Sequence, residues 1–214
     1  ISLLFDLKTP QLPVNLVQHL NHSNSTKSMD VVNFEIRNTS LQRLKMPAGK
    51  SRRARRKFLD KILLDIVFGD CVSLGGYTHA LLLVDDATRY SWIYGLASLT
   101  SANIIDALQH FYAHVGRLPT LFQTDFDTKL IGGATQRWIL SHNSNIIATP
   151  ADRHSSNGLV ERTWRTIVTM VRAYITEKQV GRNFWFYAVS HAASMLNQVP
   201  GRLGRRLTSP FEQL

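Results

Sequence analysis

Three acidic residues stand where an acid is costly unless it has work to do. Asp65 interrupts the apolar run KILLDIVF (61–68), where an unpartnered buried carboxylate must pay for desolvation or take up a proton. Asp125 closes a second apolar run, LPTLFQTD (118–125), and Glu161 opens a long helical pattern, with 35 residues between those two acids. Carboxylates delivered by separate elements to one place make a hard-oxygen site suited to Mg²⁺ or Mn²⁺, with water and substrate phosphate completing the coordination. Two such ions, roughly 3.5 to 4 Å apart, activate an attacking oxygen and stabilise a leaving one during displacement at phosphorus. Any one of these acids alone is more often a cap or an ion-pair partner. The triplet in its context is the signal.

The rest of the composition agrees with a phosphate-bearing substrate. The 214 residues carry a formal charge of +10 and a pI near 10.1, and a surface of that sign attracts a nucleic-acid backbone whatever its sequence. Much of the charge lies in KSRRARRK (50–57), with Arg52, Arg53, Arg55 and Arg56. Such a tract is either a solvated linker or localisation signal, or an arm that touches DNA. His19 and His22 have the spacing of half a zinc site, but no CxxC completes it, which favours ordinary surface histidines. The single cysteine, Cys71, excludes an intrachain disulfide and favours a reducing compartment. No apolar stretch approaches the roughly 18 residues of a membrane span, and the first residues do not read as a signal peptide. A chain that begins with Ile1 reads as a piece of a longer polypeptide.

Elements able to position the acids follow from periodicity. KILLDIVF (61–68), YTHALLLVDD (77–86) and SWIYGL (91–96) read as three neighbouring strands on short turns, an antiparallel meander. In residues 101–116, Ile104, Ile105, Leu108, Phe111, Tyr112 and Val115 recur at helical spacing up to Gly116, a natural C-terminal stop. A strand at 118–125, a helix in GATQRWILSHN, a strand in NIIATP (145–150), a helix from about 158 to 178 and a last apolar helix at 183–199 complete the order. On the long helix, Val160, Trp164, Ile167, Val168, Val171, Tyr174 and Ile175 form an apolar stripe, flanked by Glu161, Arg165, Thr169 and Arg172, so a carboxylate and two guanidinium groups share one edge. The alternation predicts an α/β domain with a mixed central sheet flanked by helices.

The segments LLDIVFGD, LLLVDDATRYSWIYGL, LFQTD, NGLVERTWRTI and NFWFYAVSHAASMLN, followed by SPFEQL, resemble in order and spacing the integrase catalytic core of Ty1/copia-type retrotransposons. The resemblance covers about residues 60–214. It implies an RNase H-like fold of the retroviral integrase superfamily and DNA strand transfer, in which a 3′-hydroxyl of element DNA attacks a phosphodiester of target DNA. It further implies that Asp65, Asp125 and Glu161 are the catalytic and metal-binding acids for two Mg²⁺ or Mn²⁺ ions, and that Asn157, Arg162 and Arg165 face DNA. Homo-oligomerisation, no membrane association and nuclear action after cytoplasmic synthesis are expected on the same ground. Asp127 stands where many relatives carry Gly, and is either a turn residue or a support behind a ligand. Asp85 and Asp86 are expected to cap a turn and to pair with Arg89. The family's N-terminal zinc module cannot be assembled with Cys71 alone, and nothing long enough for a C-terminal DNA-binding domain follows the core, so the chain is expected to be one piece of a polyprotein or a remnant copy; the alternative function is a non-catalytic DNA-binding remnant or domesticated protein that keeps the RNase H-like fold. The expected organisation is an irregular basic region over 1–57, a catalytic core over 58–200 and a C-terminal extension over 201–214.

Overall fold

Strand order follows from which runs are apolar on both faces. The computed structural model describes residues 56–125, 128–149, 158–203 and 206–214. Its five-stranded sheet has the order β3-β2-β1-β4-β5, formed by β1 (Lys61–Phe68), β2 (His79–Asp85), β3 (Ser91–Leu96), β4 (Leu121–Thr124) and β5 (Asn145–Ala148). β1 to β3 form the expected antiparallel meander, while β4 and β5 run parallel to β1. β1 is central, and its near-continuous apolar sequence is what burial on both faces demands. On one face Ile62, Leu64 and Ile66 join Leu81, Leu83, Trp92 and Phe122 in the main core. Leu63 and Val67 are buried on the other face, and Asp65 alternates with them.

Helices close both faces. α1 (Ser101–Val115) covers the main core with Ile104, Leu108 and Phe111. The Thr100 side chain caps its start, and Gly116, at φ 84°, ends it, a left-handed conformation that glycine adopts without a Cβ penalty. α2 (Thr128–Ile131) and α3 (Gly133–Ser141) follow β4. On the opposite face α4 (Gly158–Lys178) lies against β1 and β2, and α5 (Trp185–Gln198) against β3 and α4. The buried stripe of α4 is Val160, Thr163, Ile167, Val168 and Val171. It is thus rotated from the expected one, with Trp164 only partly buried and Thr163 inside.

The last helix begins two residues later than its apolar run. Arg182–Phe184 form a 3-10 turn, so that Trp185 swings into the interior, fully buried, and its indole N–H donates to the Cys71 carbonyl at 2.9 Å. The indole also lies flat against Gly69, where an added Cβ would fall 2.5 Å from Trp185 Cε2. Gly69→Ala therefore lowers stability by about 1–3 kcal/mol, read as a shift of the urea midpoint at constant slope. At the far end of α5, the Asn197 amide grips edge strand β3: its oxygen accepts the Ser91 N–H at 2.8 Å and its nitrogen donates to the Ser91 carbonyl at 2.8 Å. Residues 201–214, expected as an extension, contain a hairpin of β6 (Gly201–Leu203) and β7 (Arg206–Thr208) and a final 3-10 turn, Phe211–Gln213. No helix among the described residues is long and apolar enough to cross a membrane.

Candidate active site

The parallel register of β1 and β4 sets two of the acids side by side. Lys61, Ile62 and Leu63 pair with Leu121, Phe122 and Gln123, and two more steps of the same register bring Asp125, just past the end of β4, level with Asp65. Glu161 is in the first turn of α4, the helix that lies against β1 on the Asp65 face. Asp125 and Glu161 both lie near enough to Asp65 for their charges to act on it.

The electrostatics of Asp65 report this proximity. Its carboxyl is pushed up from 3.8 to about 7, first by burial and then by the negative charge of Asp125, with Glu161 adding in the same direction. A hydrogen bond from the Ile66 backbone N–H works against the rise. Asp125 is exposed, and the Thr124 hydroxyl reaches its Oδ1 at 3.3 Å; Glu161 is half-buried. Neighbouring negative charges thus add to burial in raising the Asp65 carboxyl, and all-oxygen donors of this kind fit a hard divalent ion. Among the described residues, however, no group of three His, Cys, Asp or Glu side chains is drawn tightly enough to enclose a metal. The acids sense one another's charge without closing into a cage.

Arg162 and Arg165 lie exposed on α4, and no ion pair joins Arg165 to Glu161 among the described residues. The threonines one turn on bond back to the helix, Thr166 to the Arg162 carbonyl at 3.0 Å and Thr169 to the Arg165 carbonyl at 2.9 Å. Arg56 forms an ion pair with Asp86. Asn157, Arg52, Arg53, Arg55 and Asp127 lie outside the described residues.

Asp85 and Asp86 divide the structural work expected of them. Asp85 is fully buried and accepts the N–H groups of Leu59 (3.0 Å), Ala87 (3.0 Å) and Thr88 (2.7 Å) and the Thr88 hydroxyl (3.0 Å). It pins the turn after β2 to the chain entering β1. Asp86 pairs with Arg89 at 3.3 Å. Two polar residues that the sequence reading passed over also stand near the acids: Gln123, 4% exposed on β4, and Thr149, 9% exposed after β5, joined by a 2.7 Å hydrogen bond. The signal for Gln123 was its place two residues before Asp125, hence on the same strand face.

No protein-family model matches the chain. It is 28% identical over 175 residues to the retrovirus-related Pol polyprotein from transposon RE2 of Arabidopsis thaliana, a match covering 79% of this chain and 12% of that one. It is also 28% identical over 148 residues to that from transposon TNT 1-94 of Nicotiana tabacum, covering 64% and 11%. The chain thus spans about an eighth of the length of the curated relatives it matches. Among solved structures, a chain of the simian T-cell lymphotropic virus intasome in complex with the PP2A regulatory subunit B56 gamma is similar at TM-score 0.62 and 21% identity, covering 79% of this chain and 58% of that one. The HTLV-2 integrase catalytic core domain in complex with magnesium follows at 0.56 and 18%, covering 73% and 97%. The chain shares with these solved structures an RNase H-like fold, a mixed five-stranded sheet flanked by helices.

Proposed function

We propose that this chain carries the catalytic core of a Ty1/copia-type retrotransposon integrase, joining 3′-hydroxyl ends of element DNA to target DNA with two Mg²⁺ or Mn²⁺ ions. What supports the reading is the register that sets Asp125 level with Asp65, together with an Asp65 carboxyl raised to about 7, first by burial and then by the charges of Asp125 and Glu161. Asp65, Asp125 and Glu161 would hold the ions, which when bound supply activation of the attacking hydroxyl and stabilisation of the leaving oxygen. In the transfer, the element's 3′-oxygen forms a new bond to the target phosphorus as the target's own 3′-oxygen departs. Arg162 and Arg165, on the outer side of α4, contact backbone phosphates; Asn157, Arg52, Arg53, Arg55 and Arg56 are assigned to DNA in the same reading. Residues 58–200 form the core in this reading, 1–57 its basic flank and 201–214 its extension. The site acts in the nucleus, in an assembly of several copies on DNA.

A second reading, a DNA-binding remnant without catalysis, is favoured by one observation: the acids do not close into a metal-enclosing group among the described residues. Joining of a labelled oligonucleotide end to plasmid, assayed with Mn²⁺ and with Mg²⁺, separates the two. Joined product upholds the enzyme; salt-sensitive binding with no joining or nicking in either metal upholds the remnant.

Both readings require phosphate contacts that carry no base code. Replacing Arg162 and Arg165 together by Gln lowers the slope of log affinity against log salt by about 2, close to one unit per lost contact, and does so alike on unrelated sequences. Deleting residues 50–57 flattens the slope further. An unchanged slope in the deletion assigns that tract to linker duty.

A further inference from the structure

We infer that Thr124 is a positioning residue that fixes the direction of the Asp125 carboxylate, a role that rests on the catalytic reading above. Thr124 is the last residue of β4 and pairs with Ala148 of β5. Its side chain is fully buried, and its carbonyl accepts the Thr149 N–H at 2.8 Å. The residue after it, Asp125, is exposed. The Thr124 hydroxyl donates to Asp125 Oδ1 at 3.3 Å, and so ties an exposed carboxylate to a residue that the sheet holds rigidly.

An exposed aspartate just past a strand end can occupy several side-chain rotamers, in each of which water solvates the carboxylate. Only a contact can select one of them. The bond from Thr124 adds little to stability, because water would donate to the exposed oxygen in its place. Nor does packing ask for a hydroxyl here: valine has nearly the same shape and brings no polar atom that must be stripped of water. What the hydroxyl supplies is direction. A carboxylate accepts at several lone pairs on two oxygens, so one bond to Oδ1 restrains its rotation and leaves its charge and its remaining lone pairs for a divalent ion. Partners that orient metal-binding groups typically account for about 10- to 100-fold in metal affinity.

The test uses the full chain with Thr124→Val, Thr124→Ser, Asp125→Ala and the double variant Thr124→Val/Asp125→Ala. Mn²⁺ affinity is read from the electron paramagnetic resonance of the free ion, and stability from the urea midpoint in EDTA. Thr124→Val should weaken Mn²⁺ binding about tenfold. Thr124→Ser keeps the hydroxyl and loses a buried methyl group, so it should lower the urea midpoint and still bind Mn²⁺ like wild type. In the Asp125→Ala background Thr124→Val should weaken Mn²⁺ binding no further, since a residue that acts through Asp125 has nothing left to act on. Unchanged Mn²⁺ affinity in Thr124→Val, equal weakening by Val and Ser, or a further loss in the double variant each overturns the proposal. If wild type binds Mn²⁺ no better than Asp125→Ala, the catalytic reading fails, and the urea midpoints then decide: shifts of the two single variants that exceed the shift of the double variant when summed keep the hydroxyl on Asp125, and strictly additive shifts overturn it.

Discussion

Asp125→Asn reduces metal-dependent joining of DNA ends by on the order of 10³-fold, the equivalent of the several kcal/mol that bound divalent ions contribute to such a displacement. The amide keeps the size of the side chain and can still accept from Thr124. It cannot supply the negative charge that holds a divalent ion beside Asp65. Salt-sensitive DNA binding stays close to wild type, because Arg162, Arg165 and the basic tract are untouched. Asp127→Asn serves as the control two residues on, and costs much less if its role is in the turn. Equal inactivation by both substitutions would move the second ligand from Asp125 to Asp127, and joining that survives Asp125→Asn would remove Asp125 from the chemistry.

Asp65→Asn stabilises the metal-free chain at neutral and alkaline pH, an effect opposite to that of most substitutions in a central strand. The Asp65 carboxyl, raised from 3.8 to about 7, binds its proton more tightly when folded than when unfolded. Stability from this group is therefore complete below about pH 4 and is lost as pH rises through about 7. The loss amounts to on the order of 4 kcal/mol at 1.36 kcal/mol per pH unit. Asparagine does not ionise, so the variant escapes it. Urea denaturation in EDTA from pH 5 to 8.5 should show wild type falling below Asp65→Asn as pH rises, and added Mn²⁺ should rescue wild type alone. Parallel pH profiles would mean that the Asp65 carboxyl is not raised by its burial and its acidic neighbours.

Most of the sheet was legible in the sequence because its strands are bounded by sharp signals. The apolar run 61–68 ends at Gly69, and the observed β1 has the same limits. SWIYGL likewise matches β3, and Gly116 stops α1 where expected. Other features depend on partners far along the chain. Trp185 sits where it does because Gly69 leaves room for the indole and Cys71 offers a carbonyl, and this shifts the start of α5 in a way no local pattern records. The hairpin of β6 and β7 lies in GRLGRRLT, which lacks the apolar alternation of a half-buried strand pair. In the site, the acids stood out because a charge within an apolar run is conspicuous. Gln123 and Thr149 did not, since an uncharged polar residue near a strand end is ordinary until its hydrogen-bond partner is known.

The grip of Asn197 on Ser91 bears on how copies of this chain can associate. A strand at the margin of a sheet offers backbone donors and acceptors to any passing strand, and at Ser91 the side chain of α5 has already taken both. Growth of the sheet past β3 is blocked there by a mimic of the missing neighbour. The first residue of β3 is thereby withheld from pairing with a further strand, one of the ways a sheet margin is kept from adding strands.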